Sequence, residues 1–553
     1  MIKARVKQLV DDCFRQGVAK GLWTEAAAGS YTVEAPKHAG QGDLATNLAM
    51  VVAGKERKNP RAIAGLLVEM LGENQGLLDK VEIAGPGFVN FFINEAVWQS
   101  VLPEVFRQGE AFGTSEVGAD KKVLVEFVSA NPTGPLSVGH GRQAVLGDAI
   151  ARLLAATGHQ VTREYYYNDA GRQMRVLGES TRARYLEQLG LPFEFPEDGY
   201  QGDYIREIAQ SLIDEKGDSL KDVADYLPFK EKAESVIFAD INGTLKRLEI
   251  VFDNYYNEHS LYENGLIDDV VETLRGKGLV YDKDGAVWFK GTEMDLDQDR
   301  VIIKSTGEPT YRLPDMAYHR EKFRRGFDWM VDIFGSDHIA TVPDVLAGVR
   351  ALGYDDSKVT VVLHQFVTLM RDGQQVKMST RKATFITVDE LLDEVGADVA
   401  RFFFLMRKSD SQLEFDLDLA TKQSQENPVY YVQYGHARLA SIAKQAVAKG
   451  VAAGDLAEVE LDRLVSAEEL EMLKAMAAYP ELVQSAALDL APHRIVFYLQ
   501  DLAGSFHSYY NKYRIIDEDD LALSRARLWL AAAMKIVLGN GLRLIGVSAP
   551  ESM

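Results

Sequence analysis

Two short stretches hold residue types that could do chemistry. The first, NPTGPLSVGHGR at 131–142, sets prolines and glycines into a turn between an apolar run and a helical pattern. A strand ending in a glycine-rich turn that opens a helix is a phosphate-binding arrangement. The first N–H groups of the helix are unpaired and point outward, and the macrodipole favours an anion there. Gly139 and Gly141 would let a ligand approach the backbone, and His140 adds a donor that can follow developing charge. Such turns are also common as plain connections, so the local pattern leaves both readings open. The second stretch, VKMSTRK at 376–382, ends a run from Arg371 to Lys382 that has four basic residues against one acid. Placed opposite a helix-terminus phosphate site, a basic loop suits the triphosphate of ATP, because positive charge held against phosphorus stabilises the transition state. On its own a basic loop is more often a solvated surface.

Positioning these stretches requires a parallel sheet. KVLVEFV at 122–128 is nearly continuous in apolar residues, as a strand buried on both faces is. VTREYYY at 161–167 is a second strand. Between them Val145, Leu146, Ala149, Ile150, Leu153 and Leu154 recur at helical spacing before Gly158 stops the helix. A strand-helix-strand unit of this kind is parallel. The pattern returns in DWMVDIF at 328–334, a helix around 343–352 and VTVVLHQFV at 359–367. The helix after the basic loop opens at TVDE (387–390), which has capping-box spacing. The region between the halves, about 170–320, reads as an insertion, largely helical, with hairpins turning at Asp284-Gly285 and Thr306-Gly307. Residues 1–110 read as an α+β unit with an amphipathic first helix and two strands, KVEIAGPGFVNFFI at 80–93, around Gly-Pro-Gly. A polar stretch at about 109–122 makes a linker. Beyond 410 the pattern is almost purely helical. The predicted fold is multidomain α/β. It has a Rossmann-type parallel-sheet domain at 118–385 with the insertion, an N-terminal α+β domain, a helical junction at 386–425 and an all-α bundle at 426–553.

A length of 553 residues fits about three or four domains. At 46% hydrophobic and 26% charged residues the composition is that of a soluble globular protein. No apolar run reaches the ~18 residues of a membrane span, and the N-terminus has no signal-peptide core. A single cysteine, Cys13, excludes an intrachain disulfide and a multi-thiolate zinc site and fits a reducing, cytoplasmic setting. The net charge of −21 opposes non-specific nucleic-acid binding but leaves room for a local basic surface. Such a surface is possible at 493–514. There Arg494, Lys512 and Arg514 stand against Asp501 alone, with Phe497, Tyr498, Phe506, Tyr509, Tyr510 and Tyr513 interleaved. Aromatic faces can stack on unpaired bases while basic groups meet phosphates, although most aromatics at helical spacing are core.

The motifs resemble a known family. SVGH at 137–140 and KMSTR at 377–381 resemble the H-I-G-H and K-M-S-K-S signatures of class I aminoacyl-tRNA synthetases, in the same order and at a fitting separation. Within that class, EFVSANPTGPLSVGHGR (126–142), YYYNDAGRQM (165–174), TYRLPDMAY (310–318) and NPVYYVQYGHAR (427–438) are similar to segments of the arginine-specific branch. So are GQGDLATNLAM (40–50), in the extra N-terminal domain that branch carries, and FHSYYNKYR (506–514), in its helical anticodon-binding domain. The resemblance implies activation of L-arginine by ATP and transfer to the 3′ end of tRNA(Arg). It further implies Mg2+ carried on the ATP phosphates rather than in a protein cage, and the family's usual monomeric state. Glu126 and Asp315 fall where the family places the acids that read the guanidinium, Asn131 and His338 where it holds the α-amino group, and Tyr311 where a ring lies along the substrate. Ser137, Gly139, His140, Lys377, Met378, Ser379 and Arg381 fall on ATP-binding positions, with His140, Lys377 and Lys382 expected to act on the phosphates. Tyr513 and Arg514 are expected at the anticodon surface. Two positions depart from the pattern. Ser137 replaces a histidine, and Thr380 replaces the second lysine of K-M-S-K-S without the upstream lysine that compensates in some relatives, since Gly134 stands there. A catalytically idle tRNA-binding relative is the alternative reading.

Overall fold

The computed structural model describes residues 2–38, 40–71, 76–376 and 386–553. Its centre is a five-stranded parallel sheet. In chain order the strands are Lys122–Glu126, Gln160–Tyr167, Asn254–Asn257, Trp329–Gly335 and Val359–His364; in space they run fifth, fourth, first, second, third. The order reverses between the first and fourth strands. In open α/β sheets that reversal opens a crevice beyond the strands' C-terminal ends, where ligands bind. The expected parallel α/β domain is therefore present, with two corrections to its interior. The region 170–320 is not one continuous insertion, because Asn254–Asn257 returns to the sheet beside the second strand. The run VTVVLHQFV is not one strand. It breaks after His364, and Val367–Arg371 joins a separate small sheet with Gln374–Gln375 and Leu413–Asp416. That last strand also means the junction at 386–425 is not wholly helical.

Of the two hairpins, the one at Asp284-Gly285 joins Val280–Lys283 to Ala286–Phe289 in an antiparallel pair. The one at Thr306-Gly307 has a strand on one side only: Arg300–Ile303 meets Pro309 in a single bridge before the chain enters the helix Arg312–Arg324.

The helix Val138–Ala156 runs from the first turn through the middle of the molecule and is buried on nearly every face. Its polar residues are satisfied internally. Arg142 donates to the carbonyls of Gln365, Lys408 and Ser411 at 2.6–3.0 Å. Asp148 accepts from Arg152 at 2.6 Å and Arg401 at 2.5 Å. Gly147 is required by packing, since a Cβ there would overlap the ring of Phe127.

The N-terminal unit is an antiparallel four-stranded sheet covered by the helices Ile2–Ala19, Leu48–Glu56 and Pro60–Leu71. The long helices Pro428–Ala448, Ala467–Leu488, His493–Lys512 and Leu521–Leu544 form the C-terminal bundle. The stretch around residue 112 is not a loose linker. Phe112 is buried, and Asn540 of the bundle donates to the carbonyls of Gly109 and Phe112, each at 3.0 Å.

Candidate active site

The crevice is built from the ends of the first and fourth strands and one helix. After Glu126 the backbone turns sharply, with Val128 at φ +67° and Ser129 at φ +45°. Left-handed backbone is costly for a β-branched residue, and such strain collects at functional sites. The turn carries Ser129 back over the sheet, where its hydroxyl donates to Glu126 Oε1 (3.1 Å) and accepts from the Tyr166 N–H (3.2 Å). The chain then crosses to Asn131. Its Oδ1 accepts from the Asn168 N–H at 3.1 Å, and its amide donates to Gln173 at 2.9 Å. Asn131, Asn168 and Gln173 therefore share one wall.

The helix Arg312–Arg324 forms the floor. Tyr311, Asp315, His319 and Lys322 follow at intervals of four, four and three residues and lie along one face. Lys322, fully buried, donates to Glu126 Oε2 (2.6 Å) and Asp332 Oδ1 (2.7 Å). His319 lies with Nε2 2.9 Å from Asp332 Oδ2 and Nδ1 2.8 Å from the Asp315 carbonyl. Burial alone would raise Asp332, but Lys322 and His319 hold its carboxyl well below the usual range. Burial pushes Glu126 up despite the pull of Lys322.

Asp315 is different. Its carboxylate makes no hydrogen bond or ion pair among the described residues, and burial, with the Glu126 and Glu258 charges nearby, pushes it up to about 7. Glu258, just past the third strand, accepts from Tyr166 (2.8 Å) and Asn168 (2.7 Å) and is also raised by burial. A half-buried carboxylate with no cation of its own, beside a second acid held only by neutral donors, is a place for a cationic group with several N–H donors. A planar guanidinium meets that need better than a point-like ammonium.

At the other end of the crevice Ser137 is the N-cap of the central helix. Its backbone N–H donates to His140 Nδ1 at 3.2 Å, which leaves the ring proton on Nε2. Burial lowers His140, favouring its neutral form. The segment after the basic loop returns here: Thr387 bridges Ser137, and the Val388 N–H donates to the Leu136 carbonyl at 2.8 Å. Gly139 has open space on its Cβ side apart from Ser137 Oγ at 3.7 Å. Gly141 does not serve ligand approach as expected. A Cβ there would meet Val388 at 3.0 Å and Phe404 at 3.3 Å, so its role is helix packing.

A family model described as tRNA synthetases class I (R), catalytic domain, matches residues 102–414. Arginyl tRNA synthetase N terminal domain matches 2–93, and DALR anticodon binding domain matches 432–553. The chain is 65% identical, over the whole of both sequences, to an arginine--tRNA ligase of Desulfotalea psychrophila. It belongs to the arginyl-tRNA synthetase family. A Citrifermentans bemidjiense arginine--tRNA ligase is 47% identical over 100% of this chain and 99% of that relative. Among solved structures, a putative arginyl-tRNA synthetase from Campylobacter jejuni aligns with TM-score 0.77 and 30% identity over 83% of this chain and 100% of that one. The Thermus thermophilus arginyl-tRNA synthetase, at 21% identity and TM-score 0.77 over the whole of both chains, shares the fold.

For an arginyl-tRNA synthetase the sequence-derived residues divide clearly. Glu126, Asn131 and Asp315 converge on one end of the crevice, and Ser137, Gly139 and His140 on the other. Tyr311 stands one turn from Asp315 but is 84% exposed. His338 is exposed on the short helix after the fourth strand, stacked on Phe334 at 5.4 Å. Lys377, Met378, Ser379, Arg381 and Lys382 lie outside the described residues. In the bundle Tyr513 donates to Glu468 at 3.0 Å and packs against Tyr509, while Arg514 is exposed. Glu258, His319, Lys322 and Asp332 were not legible as site residues. In sequence Lys322 is one charge of HREKF and suggests a wet helix face. Asp332 offered a signal, an acid inside the apolar strand DWMVDIF.

Proposed function

We propose that the protein is an active arginine--tRNA ligase that joins L-arginine to ATP and then to the 3′ end of tRNA(Arg). The observation that carries this reading is Asp315: a carboxylate raised to about 7, with no ion-pair partner among the described residues, beside Glu258 in the same crevice as the turn that opens the central helix. The guanidinium of arginine binds Asp315, with Glu258 as the second acid in place of the expected Glu126, whose two oxygens are held by Lys322 and Ser129; Asn131 and His338 take the α-amino group, and Tyr311 closes over the aliphatic stem. This leaves the substrate carboxylate pointing toward the start of the central helix. There its oxygen attacks the α-phosphorus of MgATP and pyrophosphate leaves. A terminal hydroxyl of the tRNA then attacks the activated carbonyl and AMP leaves. No protein nucleophile is needed; catalysis is positioning plus charge stabilisation.

His140, neutral with its proton on Nε2, donates to a phosphate oxygen, and Gly139 and Ser137 line the same turn. Lys377, Met378, Ser379, Arg381 and Lys382 supply the basic side, with Lys382 or Arg381 taking the place of the missing second lysine. Mg2+ arrives with ATP as part of the substrate. The resemblance implies an ion held by phosphates and water rather than by a protein cage. The N-terminal unit and the bundle contact the tRNA, with Tyr513 and Arg514 near the anticodon. The protein works as a cytoplasmic monomer, the state the family resemblance implies. An idle relative would have no use for acids that serve only arginine, which favours the enzyme. Purified protein supplied with ATP, radiolabelled arginine and total tRNA should form arginyl-tRNA. tRNA binding without charging would establish the idle relative instead.

A further inference from the structure

Lys322 has the surroundings of a functional group, yet it touches neither the proposed substrate site nor solvent. Its ammonium bridges Glu126 at the end of the first strand and Asp332 in the fourth, at 2.6 and 2.7 Å, and lies 4.3 Å from the Tyr318 ring centroid. Burial works against its charge, but Asp332 and Glu126 hold it above the usual lysine range. Around it the first strand contributes Glu126, the fourth Asp332, and its own helix Asp315, Tyr318 and His319. Beyond Tyr318 stands Glu164, which is already paired with Arg325 at 2.6 Å. Four carboxylates, Glu126, Asp315, Glu258 and Asp332, therefore surround the arginine pocket, and Lys322 is the lysine or arginine inserted among them. It spends its donors on Glu126 and Asp332 and leaves Asp315 without a partner among the described residues.

We propose that Lys322 is an internal counter-cation that positions Glu126 and tunes the arginine pocket, so that Asp315 is ionised and free to take the guanidinium near neutral pH. Lys322 is a positioning residue. It acts through Glu126 and Asp315, and through Asp332 and His319 it fixes the turn of the helix that carries Asp315. Glu126 is then not an open arm of a two-acid fork. One oxygen is held by Lys322 and the other by Ser129, so it sets the local charge while Asp315 makes the contact. Seven residues on along the same helix face, the ammonium adds to the pull of His319 on the Asp315 carboxylate as well as holding those it touches. Removing it should make Asp315 harder to ionise, so arginine binding should require a higher pH.

This proposal rests on the reading of Asp315 as the guanidinium site, and the test separates the two. Arginine and ATP affinities are measured from pH 6 to 9 by calorimetry, together with KM values in the charging reaction. In Lys322→Met the midpoint of arginine binding should move up by at least one pH unit. At pH 7 arginine affinity should fall at least tenfold, while ATP affinity changes less than twofold. Lys322→Arg should restore most of the midpoint. If Lys322→Met does not fold, Lys322→Gln keeps a donor for Glu126 without the charge and should show the same shift. An arginine loss that is the same at every pH, a parallel loss for ATP, or a midpoint that moves as far in Lys322→Arg would overturn the proposal. Asp315→Asn is the control for the site: if it binds arginine normally, the guanidinium assignment fails, whatever Lys322 does.

Discussion

Asp315, proposed to bind the guanidinium, shows how such a carboxyl can weaken the fold that carries it. A carboxyl raised from its usual 3.8 to about 7 binds its proton more tightly in the folded protein than in the unfolded chain. The stability linked to that proton is fully present below pH 4 and is lost as pH rises through 7. A shift of that size amounts to about 4 kcal/mol at most. Asp315→Asn should therefore melt at a higher temperature than the parent protein at pH 8. The difference should shrink toward zero near pH 4. Arginine should stabilise the parent and not the variant. A thermal melt series across this pH range, with and without arginine, checks both signs. Ser137 is the contrasting case. Family resemblance marked it as a departure from histidine, while the structure gives it ordinary work as the N-cap of the central helix, with its N–H on His140.

Among the elements, two helices do most of the positioning. The helix Arg312–Arg324 brings acid, imidazole and ammonium to one face, and its hydrophobic residues Leu313, Met316 and Ala317 are buried on the other side. The helix Val138–Ala156 begins at the phosphate-type turn and presses Gly147 against Phe127, the neighbour of Glu126. In an exposed helix Gly→Ala gains about 1 kcal/mol. Here the new methyl would overlap a buried ring, and overpacking typically costs about 1–3 kcal/mol. Gly147→Ala should therefore lower the melting temperature despite its better helix propensity. It should also raise KM for arginine more than KM for ATP, because Phe127 follows Glu126 in the chain and a shift of its backbone moves that carboxylate. A variant more stable than the parent would mean that the helix can shift without disturbing the strand.

Across the whole molecule, Arg401 is the buried tie between units. It donates to Asp148 of the central helix, to the Leu248 carbonyl ahead of the third strand at 2.7 Å, and to the Ile545 carbonyl at the end of the bundle at 3.0 Å. Removing one partner of a buried pair leaves the other uncompensated and costs about 3–5 kcal/mol. The loss should sit at the lower end here, because Asp148 keeps Arg152. Arg401→Met should lower the main melting transition by several degrees and separate bundle unfolding from sheet unfolding in calorimetry. A single transition at the parent temperature would show that other contacts suffice to join the units.

The sequence by itself determined the kind of elements and the place where a proline- and glycine-rich turn opens the central helix. Apolar runs, glycine stops and the Thr387–Glu390 capping box are local signals, and the box forms as its spacing implies. His140 stood out locally as a donor in a glycine-rich turn that opens a helix, whereas Asn131 and Ser137 were marked by the family resemblance. Only the tertiary structure decided which charges are inside. Nothing local distinguishes Lys322 from a solvated lysine; its burial follows from two strands, about 200 and 10 residues away in sequence, each delivering a carboxylate to the same point. The same reason hid the third strand, Asn254–Asn257, since a four-residue strand gains its identity from the partner it pairs with rather than from its own pattern. Side-chain periodicity is a property of the local chain, whereas burial of charge and the pairing of distant strands are properties of the packed whole.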